Sequence, residues 1–268
     1  MRIIVCIKQV PDSAEVRVDP ETGTLVREGV PAIINPFDEN AIEAALRLRE
    51  LHGGEVIALS MGPPQAQMAL RRALAMGVDK AYLLGDRAFA GSDTLATGYA
   101  LSQAVRYLGE FDLILCGRQS IDGDTAQVGP GLAEHLGIAQ VTCAIELEIK
   151  GCSLLARRVL DDGFELVEAD LPCLATVVKH INFPRHIGLR GLIQAHNMQI
   201  PVLTAQQVEA DSTRCGLQGS PTSVVQVFTP KRAGKGELLT GEVSEAAHEL
   251  VRRLKAEGLV GVAGEGNR

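Results

Sequence analysis

The stretch Asp112-Leu113-Ile114-Leu115-Cys116-Gly117-Arg118-Gln119-Ser120-Ile121-Asp122-Gly123-Asp124-Thr125-Ala126-Gln127-Val128-Gly129-Pro130 changes character twice. Residues 112–116 are an apolar run, as in a strand buried on both faces. Residues 117–124 are small and polar. From residue 125 to 136 the apolar positions return at helical spacing. Strand, small polar turn and helix, in that order, are the repeating unit of a parallel α/β sheet.

The same unit recurs upstream. Residues 3–8 are a β-branched run that reads as a first strand. Residues 38–51 read as a helix, with Asp38 as its cap and Gly53-Gly54 as its stop. Strands are predicted at 55–60 and 80–84, and helices at 65–75 and 94–108. The alternation predicts a mostly parallel sheet with helices on both faces. Right-handed crossovers then bring the C-terminal strand ends to one edge, where such sheets bind ligands.

Downstream the texture changes. Residues 145–149, 154–159 and 165–168 are short strand-like runs separated by Lys150-Gly151 and Asp161-Asp162-Gly163, which predict an antiparallel hairpin insert. One more apolar strand is expected at 173–178. Residues 206–222 read as extended and weakly structured. Residues 244–255 return to a helical pattern, with Ala247, Leu250, Val251 and Leu254 on one face. A late amphipathic helix behind a long irregular segment is the pattern of a C-terminal arm that docks on another protein. The tail beyond Gly258 is expected to be disordered. The resulting division is an α/β domain at 1–195, an extended docking segment at 196–243 and a C-terminal helix with tail at 244–268.

Bulk composition narrows the function. The chain has 268 residues, 46% hydrophobic and 22% charged, enough for one large core. A net charge of −7 without a basic run argues against a nucleic-acid or anionic-membrane surface. No apolar stretch approaches the roughly 20 residues that span a bilayer. The apolar run at the N-terminus is too short for a secretory signal. A soluble, cytoplasmic protein is expected. The six cysteines form no Cys-x-x-Cys pair, and the six histidines are scattered. Buried free thiols are therefore expected, and no metal site. Aromatic residues make up 3% of the chain, with no Trp, so no stacking platform for bases is visible.

The loop at 117–130 carries the clearest chemistry. Small and polar residues between a strand and a helix can present backbone N–H groups to a phosphate, and the helix dipole adds roughly half a positive charge there. Gly123 permits close approach of a ligand, Asp124 or Thr125 can cap the helix, and Thr125 and Gln127 can donate to phosphate or ribose. The pattern is neither a Walker A motif nor Gly-x-Gly-x-x-Gly. An ordinary capped helix is the plain alternative. Residues 8–12, 60–64 and Asn35-Pro36-Phe37-Asp38 are expected at the same sheet edge. No nucleophile elbow is present. Asp122 and Asp124 read as helix caps rather than an acid–base pair. Such a protein positions a cofactor and leaves the chemistry to it.

Val5-Cys6-Ile7-Lys8-Gln9-Val10-Pro11-Asp12, Asn35-Pro36-Phe37-Asp38, Ala73-Leu74-Ala75-Met76-Gly77 and the 117–130 loop resemble, in this order, the β subunits of electron transfer flavoproteins. The likeness spans nearly the whole chain. It implies a Rossmann-like (adenine nucleotide α-hydrolase-like) domain that pairs with an α subunit. It also implies a β-side site holding AMP in ordinary members and FAD in electron-bifurcating ones. Carried over by position, that site comprises Cys6, Asn35, Phe37, Asp38, Met61 and the loop residues Gly117, Arg118, Gln119, Ser120, Asp122, Gly123, Asp124, Thr125, Ala126, Gln127 and Val128. Ala126-Gln127-Val128 and Gly123 resemble the bifurcating branch, which implies FAD. AMP-binding relatives carry Asn-Gln-Thr and Asp at these places. In that branch NADH is the donor. Electrons pass through the α-subunit FAD to an acyl-CoA dehydrogenase-type flavoenzyme and to a ferredoxin or flavodoxin. Pro184-Arg185-His186-Ile187-Gly188-Leu189-Arg190-Gly191 resembles the family's recognition loop, with Leu189 as the anchor and Arg185 and Arg190 beside it. Stress-type ATP-binding proteins and ATP pyrophosphatases share the architecture and are the alternative of another class.

Overall fold

Ile3, Ile4, Val5, Leu113, Ile114 and Leu115 are fully buried, because their strands lie at the centre of a sheet covered on both faces. The computed structural model describes residues 1–12, 32–225 and 236–260. The chain divides into two units, Met1–Val227 and Phe228–Arg268. In the first, the elements run β1 (Arg2–Cys6), β2 (Gln9–Pro11), β3 (Ala32–Ile34), α1 (Pro36–His52), β4 (Glu55–Met61), α2 (Gln67–Met76), β5 (Lys80–Leu84) and α3 (Thr94–Leu108). They continue with β6 (Leu113–Gly117), α4 (Val128–Leu136), β7 (Ala139–Lys150), β8 (Ser153–Leu160), β9 (Gly163–Asp170), β10 (Cys173–Val177), α5 (Leu189–Asn197) and β11 (Val202–Leu203). The second unit contains α6 (Val243–Ala256).

One nine-stranded sheet has the order β11-β5-β4-β1-β6-β10-β7-β8-β9. All its pairings are parallel except β7–β8 and β8–β9. Strand order reverses at β1. The chain moves outward through β4 to β5, then returns to the other side of β1 with β6. This is the topological switch point, and the crevice beyond the C-terminal ends of β1 and β6 is where open α/β sheets take ligands.

Two apolar clusters cover the faces. Residues of α1 and α2 pack with Ile3, Val5 and Leu113 on one side. Residues of α3 and α4 pack with Ile4, Ile57 and Ile114 on the other. Each fully buried aliphatic side chain contributes roughly 1.5–3 kcal/mol relative to exposure.

Several elements differ from expectation. Asp38 does not cap α1. Pro36 occupies the first turn, Asn35 is the cap residue with no side-chain cap bond, and the Asp38 carboxylate turns to other strands. Helix α4 begins at Val128 rather than residue 125, and its cap residue Gln127 makes no capping bond. The expected hairpin insert belongs to the main sheet. The first part of β7 pairs in parallel with β10 before the strand continues antiparallel to β8. Gln9–Pro11 pairs with Ala32–Ile34, which brings Asn35 beside Lys8.

Residues 206–222 are not extended. They form turns fastened to α3 and the region before it. Asp86 accepts from the Ala205 N–H, Tyr99 from the Asp211 N–H, and Asp93 from both the N–H and Oγ1 of Thr222. Leu189 opens a helix rather than lying in a loop. The six cysteines are free. Four are buried, Cys143 is half-buried and Cys152 is exposed. Residues 261–268, most of the expected disordered tail, lie outside the described residues.

Candidate functional site

The first turn of α1 clamps the ends of the two switch-point strands. Asp38 Oδ2 accepts from the Lys8 N–H just past β1 at 2.7 Å, and Oδ1 accepts from the Gly117 N–H ending β6 at 3.1 Å. Asn35 grips the loop beyond β6. Its Nδ2 donates to the Gln119 carbonyl at 2.8 Å, and its Oδ1 accepts from the Ile121 N–H at 3.1 Å. Both side chains are buried. Their polar atoms are thus engaged with the chain's own backbone. Burial pushes the Asp38 carboxyl up to about 7, while hydrogen bonds from Asn35, Lys8 and Gly117 and the Lys8 charge pull the other way.

Gly117 is dictated by this clamp. A Cβ there would lie 2.3 Å from Asp38 Oδ1 and 2.6 Å from Phe37 Cβ. Neither neighbour is a free chain end. A Gly117→Ala protein is expected to lose about 1–3 kcal/mol in urea unfolding. A loss under about 0.5 kcal/mol would show that the turn yields.

Residues 121–125 of the loop are exposed and held by bonds of their own. Lys8 Nζ pairs with both Asp122 carboxylate oxygens at 2.8 and 2.9 Å, and this holds Asp122 below the usual carboxylate range against the opposing effect of burial. Gln119 Nε2 donates to Asp124 Oδ1 at 2.7 Å. The Ser120 carbonyl accepts from the Asp124 N–H at 2.9 Å. Asp122 and Asp124, read as caps, therefore serve the loop's own bonds. Asp124 and Ala126 have φ of 50° and 54°. Left-handed backbone costs roughly 1–2 kcal/mol at a non-glycine residue and persists where its surroundings enforce it, often at binding sites. Among the described residues a Cβ on Gly123 would meet Ser120 Oγ alone, at 3.4 Å, so this corner has room.

The other expected residues fall around the same crevice. Cys6 ends β1, in register with Cys116 of β6, and Met61 ends β4. Arg118 is exposed, with its N–H on the Val177 carbonyl. Phe37 sits behind the loop, its ring 5.1 Å from Lys179 Nζ. Thr125 is exposed and Val128 begins α4. Thr94, which sequence reasoning did not single out, donates from Oγ1 to Gln127 Oε1 at 3.0 Å. It makes the start of α3 a further wall. Its only sequence signal is the Asp93-Thr94 helix start, which reads as an ordinary cap.

Arg185 and Leu189 lie elsewhere. Leu189 is 74% exposed at the first position of α5, beside exposed Arg190. Arg185 is drawn into ion pairs with Glu43 and Glu50 of α1.

An uncapped helix start beside a roomy, partly left-handed loop at a switch point suits a phosphate-bearing cofactor. Comparison with known proteins agrees. Residues 22–208 match the electron transfer flavoprotein domain family. The electron transfer flavoprotein subunit beta of Thermoanaerobacterium thermosaccharolyticum is 52% identical, over 97% of this chain and 100% of that protein. This chain belongs to the electron transfer flavoprotein β-subunit family. Other members similar to it include the caffeyl-CoA reductase–Etf complex subunit CarD of Acetobacterium woodii, 47% identical over 97% of this chain and 100% of that protein. The protein FixA of Azorhizobium caulinodans is 46% identical over 95% of this chain and 94% of that protein. Membership of the electron transfer flavoprotein family carries a role in electron transfer and an association with flavin or nucleotide. It also carries pairing with an α subunit. Among the described residues no helix is long and apolar enough to cross a membrane, and no cluster of His, Cys, Asp or Glu could hold a metal ion.

Proposed function

We propose that this electron transfer flavoprotein β subunit holds FAD in its own crevice, at the ends of β1, β4 and β6. The observation that carries the reading is the loop at 123–128. It is uncapped at α4, left-handed at Asp124 and Ala126, and open at Gly123. Thr125, Gln127 and the backbone amides at the start of α4 would hold the diphosphate, with the helix dipole behind them. Cys6 and Met61 would form the floor under the adenosine half. FAD, when bound, supplies hydride acceptance from NADH and one-electron transfer onward. No side chain here acts as acid, base or nucleophile. The protein's part is to bind, orient and hold the cofactor at transfer distance.

The partners follow from the same reading. The α subunit carries the second FAD. An acyl-CoA dehydrogenase-type flavoenzyme is one redox partner, docking at exposed Leu189; the caffeyl-CoA reductase–Etf complex for which the Acetobacterium woodii relative is named supports a CoA-ester reductase in that place. A ferredoxin or flavodoxin is the low-potential acceptor, and the complex works in the cytoplasm.

The test is cofactor content. This chain, co-expressed with its α subunit and released in acid, is expected to yield two FAD per complex and to bleach with NADH. One FAD and one AMP would make it a carrier with a structural nucleotide. Bound ATP without flavin would place it with the ATP-binding proteins of similar fold. Gly123→Asp is expected to remove FAD from this subunit only. The side chain would fill the room beside Ser120 Oγ and add a negative charge to a loop that would hold two phosphates. Two FAD retained in that variant would place the diphosphate elsewhere.

A further inference from the structure

Helix α1 serves two places at once. Its first turn clamps the cofactor loop through Asn35 and Asp38. Its middle holds the segment that leads to Leu189. Asn40 Nδ2 donates to the Asn182 carbonyl at 2.9 Å and to Asn182 Oδ1 at 3.0 Å, and Asn182 Nδ2 returns a bond to the Asn40 carbonyl at 2.9 Å. One turn on, Glu43 is 3% exposed. Its Oε2 accepts from the Arg185 N–H at 3.1 Å and from Arg185 Nε at 2.8 Å. Arg185 also reaches Glu50 at 2.6 Å. Burial would raise the Glu43 carboxyl, yet bonds from Arg185 and Arg47 hold it below its ordinary value, so the pair stays ionised.

Helix α5 is fixed from a second side. Arg71 of α2 donates to the carbonyls of Ala195 and, at 2.9 Å, Met198 at the helix's end. A Cβ on Gly191 would strike the Ala75 carbonyl oxygen at 2.3 Å, so α5 lies directly on α2. The helix thus presents Leu189, Leu192 and Ile193, each more than half exposed, from a rigid seat.

We infer that Glu43 and Arg185 are positioning residues for electron transfer, fixing the Leu189 segment relative to the cofactor crevice through α1. In this role Arg185 acts through its ion pairs with Glu43 and Glu50 rather than through a contact with the partner. The inference rests on the docking role of Leu189 proposed above. Transfer between flavins depends on placement, and an anchor displaced by about 1 Å is enough to weaken productive encounter by an order of magnitude or more. Lysine cannot replace Arg185, because the bidentate fork spans Glu43 and Glu50 together.

The experiment uses the flavin-loaded αβ complex and a short-chain acyl-CoA dehydrogenase, with the dehydrogenase concentration varied. Glu43→Gln and Arg185→Lys are each expected to raise the KM for the dehydrogenase about tenfold, with kcat and flavin content unchanged. Leu189→Ala is the control, expected to raise KM at least as far. An unchanged KM in Leu189→Ala overturns the docking reading and the inference with it. A raised KM in Leu189→Ala beside a wild-type KM in Glu43→Gln overturns the inference alone. So does a fall of kcat or flavin content that tracks KM, which would make the pair a general prop of the domain.

Discussion

An Asp38→Asn protein is expected to fold and to lose most of the nucleotide bound at its own crevice. The carboxylate accepts one backbone N–H from each strand end at the switch point. A side-chain amide offers one oxygen and one NH2, so either the Lys8 or the Gly117 N–H then faces another donor. An orphaned buried donor costs about 1–3 kcal/mol. The displaced group lies at the root of the loop that would hold the diphosphate. Cofactor content after gel filtration is the first measurement, and wild-type content with an unchanged Tm would dismiss the clamp. The pH dependence gives a second check. Burial sets Asp38 at about 7 in the folded protein, against about 3.9 in an unfolded chain. The folded state therefore binds this proton more tightly, and the group's contribution to stability falls as pH rises from about 4 to about 7, then levels. The asparagine variant lacks that slope. Its stability relative to wild type should improve across the window by an amount on the order of a few kcal/mol.

Asp38 also marks where sequence reading stops. An acid at the start of a helical pattern reads as a cap, since capping is local and the pattern is visible. Its real partners, Lys8 and Gly117, lie 30 and 79 residues away. By contrast Lys80–Leu84 and Thr94–Leu108 were legible to the residue, the first from a short apolar run, the second from its helical pattern. The central strands were legible for the same reason, because burial on both faces leaves an unbroken apolar signal. The start of β7 was not. Ala139 and Gln140 are exposed, so the parallel part of the strand has no such run. The fastened turns at 206–222 were illegible because every pin is non-local, with Asp86, Asp93 and Tyr99 more than a hundred residues upstream. The crevice was legible as a loop of the right texture. The division of labour within it was not, since only three dimensions show that Asn35 and Asp38 hold the loop while Thr125 is exposed and Gln127 meets Thr94 of α3.

Removing residues 242–268 is expected to abolish co-purification with the α subunit while leaving the first unit folded. Helix α6 lacks a buried face. None of its residues is buried, and Val243, Leu250 and Val251 are 85%, 48% and 46% exposed. Its own ion pairs join Glu249 to Arg252 and Arg253, and Arg253 to Glu237, all at the surface, where such pairs add little. Hydrogen bonds from Arg252 and Arg253 hold the Glu249 carboxyl at about 2, so these pairs persist through the neutral range, yet water still screens them. A helix of 14 residues is marginal in water on its own. Its apolar stripe of Ala247, Leu250, Val251 and Leu254 therefore needs a surface to lie on. In this family the β subunit pairs with an α subunit. The full-length chain should bring the α subunit through an affinity column, and the shortened chain should not. Circular dichroism should show the truncated protein melting at the wild-type Tm for the first unit. Normal recovery of the complex would mean that the αβ contact is made by the α/β domain itself. A Leu250→Asp, Val251→Asp protein, which keeps the segment and removes only the stripe, should fail in the same way as the truncation if the stripe is what binds.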